Sequence, residues 1–292
     1  MIYRVRHLTS VDYAGRVRLA RFNVRLKPVS WPGQTLQDFS LSIDPQPSTM
    51  QEEFGPFMVS RSRLTIRDPL ARLSIETRFH VEVAQQSFMR DMMEGPTVSE
   101  IRRRSLIHGD LSALGPASYL YASPLVGSSA EIGDWAQACF PPERTIVASA
   151  RALMKAIHRE FTYDAKATVI DTPLSQAFRQ RRGVCQDFAH VMIAAARAHG
   201  IPAGYVSGYL RTIPPPGKAR LVGADAMHAW ANIWCGDDLG WIGFDPTNNA
   251  LAQDDHIFVA MGRDYSDVAP LDGVFHGGVG QKMTVAVDVE PI

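Results

Sequence analysis

The stretch Arg182-Gly183-Val184-Cys185-Gln186-Asp187-Phe188-Ala189-His190 constrains this chain most, because a glycine-broken loop turns there into an amphipathic helix with a thiol at the turning point. Downstream, Phe188, Val191, Met192 and Ala195 recur at i, i+3, i+4 and i+7, one face of a helix, and Gly200-Ile201-Pro202 supplies a stop. Cys185 therefore falls in the first helical turn. Unpaired backbone N–H groups and the positive end of the helix dipole point at that position, favouring thiolate over thiol and offering donors to an oxyanion formed beside it. On the same helix Asp187 is expected to accept N-terminal hydrogen bonds or to pair with Arg182. His190, about 140° around the helix from Cys185, is expected to face away from the chemistry.

Two further runs read as strands. The first, residues 227–234, alternates His228, Trp230, Asn232 and Trp234 against Ala229, Ala231 and Ile233; the second begins at Gly240 and reaches Asp245-Pro246-Thr247. Turn residues fill Cys235 to Gly240 between them. A hairpin with its tight loop at Gly236-Asp237 sets His228 directly across from Asp245 on one face. Any even change in loop length preserves the shared face, whereas a slip by one residue separates the two. A thiol, an imidazole to carry its proton and a carboxylate to orient the imidazole are the parts that acyl transfer through a thioester requires. Cys139 and Cys235 lack such a context and read as small buried hydrophobes.

The motifs GVCQDFAH, HAW and GWIGFDPTN resemble the transglutaminase-like superfamily of the broader papain-like group, in particular its bacterial cysteine-protease branch. The resemblance implies Cys185 as nucleophile, His228 as base and Asp245 as orienting acid. It implies an α+β fold: a papain-like transglutaminase core preceded by an antiparallel β-rich N-terminal domain, which the segments around Tyr3–His7 and Asn23–Pro28 also resemble. One feature departs from the pattern. Eukaryotic transglutaminases use a tryptophan upstream of the cysteine to help hold the oxyanion, and Phe161-Thr162-Tyr163-Asp164 contains none. By analogy with the papain glutamine, Gln176 is a candidate second donor, at a different spacing. The backbone N–H of Cys185 serves regardless of side chain.

Period-two alternation in Phe39–Ile43, Leu64–Ile66 and Leu73–Val83 predicts a β domain over residues 1–88. A connecting region follows over 89–128, with a short helix near Ser99–Leu106. The catalytic core spans 129–262, with a helix beginning near Pro141 that presents Leu153, Met154, Ile157 and Phe161, and a strand over Gly204–Leu210. An extension over 263–292 ends in an alternating strand, Met283 to Val289, able to return to either sheet. Pro214-Pro215-Pro216-Gly217 reads as a stiff turn, and His276–Gly280 as a flexible connector. The aromatic residues Tyr209, Trp230, Trp234 and Trp241 either pack the core or line a water-poor channel.

With 30 basic and 30 acidic residues the net charge is zero, which gives no overall pull toward nucleic acid or a membrane. Three cysteines are too few for a disulfide framework, and Met1–Arg6 runs straight into strand-like sequence without a signal-peptide pattern, so a cytoplasmic location is expected. No zinc-type spacing or phosphate-binding loop occurs, and no cofactor or metal is expected. The expected partners are a peptide or amide-containing polymer and an amine co-substrate. Charge nevertheless separates along the chain, with seven basic residues against Asp12 in residues 1–30 and eight aspartates over 237–272, which reads as two solvated faces or as long-range steering of substrate. The rival function is a non-catalytic binding module on the same fold, since fold alone does not fix activity.

Overall fold

The computed structural model describes residues 1–84, 95–211, 225–277 and 279–292. Five strands open the chain: β1 (Ile2–Val24), β2 (Gln34–Asp44), β3 (Thr49–Phe54), β4 (Ser60–Ile66) and β5 (Leu70–Val83). Over its first half β1 buries Tyr3, Val5, His7, Thr9 and Val11, the odd positions of an alternating pattern. Its length lets it pair twice. β5 flanks it through residues 2–12, and β4 flanks it again over Ala20–Val24, beyond a bulge where Leu19 takes a left-handed φ of 45°.

The chain then enters α1 (Val98–Ile107), capped by a reciprocal Thr97–Glu100 box, in the place the sequence predicts for a short helix. It continues through α2 (Ala130–Ala136), α3 (Ile146–Glu160), β6 (Thr162–Tyr163), α4 (Leu174–Gln180), β7 (Arg182–Gly183) and α5 (Cys185–Ala198). Then come β8 (Ala203–Leu210), β9 (Met227–Trp234), β10 (Trp241–Asp245), β11 (Ala250–Leu251), β12 (His256–Gly262) and α6 (Tyr265–Val268), before β13 (Leu271–His276) and β14 (Gln281–Pro291) close the chain. α3 starts five residues later than expected. Pro141 and Pro142 lie in a turn whose carbonyls accept the Arg144 and Ser99 N–H groups, and Thr145 occupies the N-cap position. Leu153, Met154, Ile157 and Phe161 are buried as predicted, and Phe161 ends the helix through an N–H bond to the Ile157 carbonyl at 2.9 Å.

The final strand finds its partner in β1: β14 runs antiparallel to residues 3–13, and β13 pairs with residues 18–24. The first sheet thus joins both ends of the chain in the order β2-β5-β1-β4-β3, with β13 and β14 added on β1. This pairing accounts for part of the charge separation, because Arg25, just past the end of β1, ion-pairs with Asp272 of β13. The second sheet is antiparallel, β11-β10-β9-β8-β12, and α5 packs on β8 and β9 with Phe188, Val191, Met192 and Ala195 buried. The two parts share a core. His7 of β1 meets the Tyr209 hydroxyl of β8 at 2.9 Å, and Tyr3 donates to the Asp254 carbonyl at 2.9 Å. The class is α+β, as predicted.

The β9–β10 hairpin differs from expectation in its loop. Cys235 N–H donates to the Gly240 carbonyl at 2.8 Å and Gly240 N–H to the Gly236 carbonyl at 2.7 Å, with both glycines at left-handed φ (98° and 62°). Four residues turn the chain rather than two. The ladder pairs Trp241 with Trp234 and Phe244 with Ala231, so the register continues to Asp245 opposite Trp230, and His228 lies one diagonal step further along. The shift is by two residues, so the shared face survives. The Pro214–Gly217 turn lies outside the described residues.

Candidate active site

Cys185 is held from behind. β6 and β7 run parallel, with Thr162 N–H donating to the Arg181 carbonyl at 2.8 Å and Asp164 N–H to the Gly183 carbonyl at 2.9 Å. Asp187 Oδ2 then accepts the Val184 N–H at 2.8 Å and the Thr168 hydroxyl at 2.7 Å, which caps α5. A Cβ on Gly183 would collide with that carboxylate, so the approach needs glycine. Asp187 therefore has the structural role expected of it, whereas Arg182 turns toward Asp164 at 3.9 Å. His190 also faces away: its Nε2 accepts the Tyr265 N–H at 3.2 Å, and burial pushes its pKa down to about 4. The half-buried Cys185 keeps the first helical position, with its own N–H outside the cap.

The hairpin supplies the other groups. His228 Nε2 lies 2.7 Å from Asp245 Oδ2. Burial disfavours the imidazolium, but hydrogen bonds with Asp245 and Cys185, together with their charges, outweigh it and push the His228 pKa up to about 10. Asp245 is fully buried. Burial alone would raise its pKa, yet hydrogen bonds from His228, His256 and Asn248 hold it far below the usual carboxylate range. Its Oδ1 accepts the backbone N–H groups of Thr247 and Asn248 at 2.9 and 3.2 Å, and Asn248 Nδ2 reaches Oδ2 at 2.7 Å. The structure thus brings the Cys185 thiol beside a His228 that is hydrogen-bonded to Asp245.

His256 and Asn248 are additions that the sequence reading missed. Asn248 follows Asp245 by three residues in Asp-Pro-Thr-Asn, a turn spacing that carries a signal. His256 has none, because its place beside Asp245 depends on how β12 crosses the sheet. His228, Asp245 and His256 bring three ligand-type atoms within 4.8 Å of one another. The 2.7 Å approach of His228 to Asp245 is a hydrogen-bond distance. It is shorter than the ~3.3 Å ligand separation implied by a tetrahedral zinc shell with bonds of ~2.0–2.1 Å. The set fits a proton-sharing cluster better than a coordination shell.

Gln176 is exposed on α4, and among the described residues its carboxamide hydrogen-bonds to none of these groups. From the segment that lacks tryptophan, Tyr163 pairs with Gly183 and lies near the thiol; partial burial, then the Cys185 charge, raise its pKa. Tyr209, Trp230 and Trp234 are core residues, and Trp241 donates from Nε1 to the Leu114 carbonyl at 2.9 Å. Cys235 is buried and Cys139 half-buried, and burial pushes both thiols up. Among the described residues no helix is long and apolar enough to cross a membrane.

Residues 134–246 match the model of the transglutaminase-like superfamily core, and residues 3–82 match that of the bacterial transglutaminase-like N-terminal region. An uncharacterized protein of Mycobacterium tuberculosis is 36% identical over 303 residues, covering 99% of this chain and 92% of that protein. A protein-glutamine gamma-glutamyltransferase of Pseudomonas aeruginosa is 33% identical over 108 residues, 34% of this chain but 16% of the relative. Among solved structures, a protein of Cytophaga hutchinsonii provisionally named a cysteine protease superposes with a TM-score of 0.74 at 22% identity, over 100% of this chain and 91% of that one. The core with its thiol-bearing helix and the β-rich region before it both carry their family's pattern, and the chain belongs to the transglutaminase-like superfamily.

Proposed function

We propose that the protein is a cysteine-dependent acyl-transfer enzyme acting on peptide, isopeptide or carboxamide bonds. The observation that carries this reading is the 2.7 Å hydrogen bond of His228 to the buried Asp245, with Cys185 beside that imidazole at the N-terminus of α5. Cys185 Sγ attacks the substrate carbonyl carbon, its proton being held by His228. The oxyanion accepts a hydrogen bond from the Cys185 N–H, helped by the dipole of α5, where negative charge develops. On collapse the C–N bond breaks, His228 returns the proton to the departing ammonia or amine, and a thioester remains. Asp245 stays ionised throughout and supports the imidazolium. Water, deprotonated by His228, then releases a carboxylic acid and restores the thiol. Hydrolysis is the first reading because water is always present.

Likeness to the Pseudomonas glutamyltransferase favours a second: an amine takes the place of water and an amide is released. An assay of a peptide and amide-polymer library by mass spectrometry, with and without a pool of primary amines, tests both. Free acid dominating at millimolar amine supports the hydrolase, while saturable, structure-selective amide formation exceeding hydrolysis makes the protein a transglutaminase. No Cys185-dependent product of either kind would leave the fold as a non-catalytic binding module.

A further inference from the structure

Asp245 receives more donors than the orientation of one imidazole requires, and one of them is a second histidine. His256 opens β12, is 7% exposed, and lies with Nε2 3.2 Å from Asp245 Oδ2, the oxygen that also meets His228. An ionised carboxylate only accepts hydrogen bonds, so the ring nitrogen facing it carries a proton. In the neutral ring that makes Nδ1 a bare acceptor. Among the described residues, His256 Nδ1 is buried without a hydrogen-bond partner, a cost that an apolar side chain in the same space would not bear. Trp230 meets the His256 ring edge-on at 5.2 Å and fixes its plane. Gly208, which lies between β9 and β12 on β8, makes room for Trp230, since a Cβ there would run into the indole.

We infer that His256 is a positioning residue of this site, holding the Asp245 carboxylate toward His228 by donating to the oxygen they share. The inference rests on the acyl-transfer reading above. A third donor on Oδ2 spreads the carboxylate's charge, so His228 grips its proton less tightly and can pass it to the leaving amine. Removing the donor concentrates that charge on His228. Among the described residues, the titratable groups around His228 and the thiol include Cys185 on α5, Asp245 on β10, His256 on β12, Tyr163 on β6 and Tyr205 on β8.

The test needs no substrate: the rate of Cys185 alkylation by iodoacetamide is followed against pH in the full chain, with peptide mapping. The upper limb of the profile reports loss of the His228 proton. In His256→Leu that limb should move to higher pH by roughly half a unit to one unit, the size of one hydrogen bond's effect on a carboxylate partner. His256→Gln, whose Nε2 can reach the same oxygen, should restore the wild-type profile. His256→Asn, with a donor too short to reach it, should behave like the leucine variant and replaces it if leucine does not fold. A wild-type profile in folded His256→Leu or His256→Asn, or a shift to lower pH, overturns the inference. His228→Ala separates the two claims. Loss of the upper limb there upholds the triad whatever His256 does, whereas an unchanged limb refutes the triad itself.

Discussion

His7 and His228 each stand on a strand and are each withdrawn from water, yet their acid–base behaviour is opposite. His7, on β1 of the first sheet, faces the Tyr209 and Thr9 hydroxyls, and burial pushes its pKa down to about 4. His228, on β9 of the second sheet, faces a buried carboxylate and a thiol, and its pKa is pushed up to about 10 against the effect of burial. Neutral partners make one histidine a structural link between the two sheets. Charged partners suit the other to the proton-carrying role proposed for it. Strand position and burial do not separate the two roles; the ionisation of the neighbours does.

The sharpest way to break the comparison is to remove the nucleophile. Cys185→Ala should abolish turnover in the library assay while leaving the melting temperature nearly unchanged, because the thiol is half-buried at a helix start and small; a severely unfolded variant would make it a core residue. His228→Ala should lower turnover by several powers of ten. Asp245→Asn should lose a comparable or smaller factor, since it keeps the shape but supports the wrong tautomer and no longer stabilises imidazolium. Full activity in either variant contradicts the triad.

Stability against pH should then distinguish the two histidines. His7 has a folded pKa below its unfolded value of 6.5, so its contribution is present above pH 6.5 and is lost as pH falls toward about 4. That loss is on the order of 2–3 kcal/mol, and urea unfolding of His7→Gln should show a flatter acid slope than the wild type. His228 has a folded pKa above 6.5, so its contribution is complete below pH 6.5 and fades as pH rises through about 10. The stability difference between wild type and His228→Ala should therefore shrink in alkali; a difference that grows with pH would reverse the sign assigned here.

The same contrast explains what the sequence made legible. The placement of Cys185, His228 and Asp245 could be read because each rests on local rules: a helix start, and a hairpin whose strands are consecutive. Only the parity of the β9–β10 register mattered, so a loop of four residues in place of two left the face intact. The partner of β14 was illegible, because no local turn ties Gln281–Pro291 to β1 and alternation reveals a face without naming a neighbour. His256 was hidden for the same reason, its contact with Asp245 depending on a strand that enters the sheet beyond β8. The two prolines before α3 misled because proline suits a turn as well as a first helical position.

The central claim, that Cys185 forms a thioester with help from His228, is tested most directly by acid-quenching the protein soon after mixing with an activated acyl ester and mapping the adduct by mass spectrometry. One acyl group should appear on Cys185, ahead of Cys139 and Cys235, should vanish in Cys185→Ala and should form far more slowly in His228→Ala. Equal acylation of all three cysteines, or an adduct on Cys185 that forms as fast without His228, would contradict it.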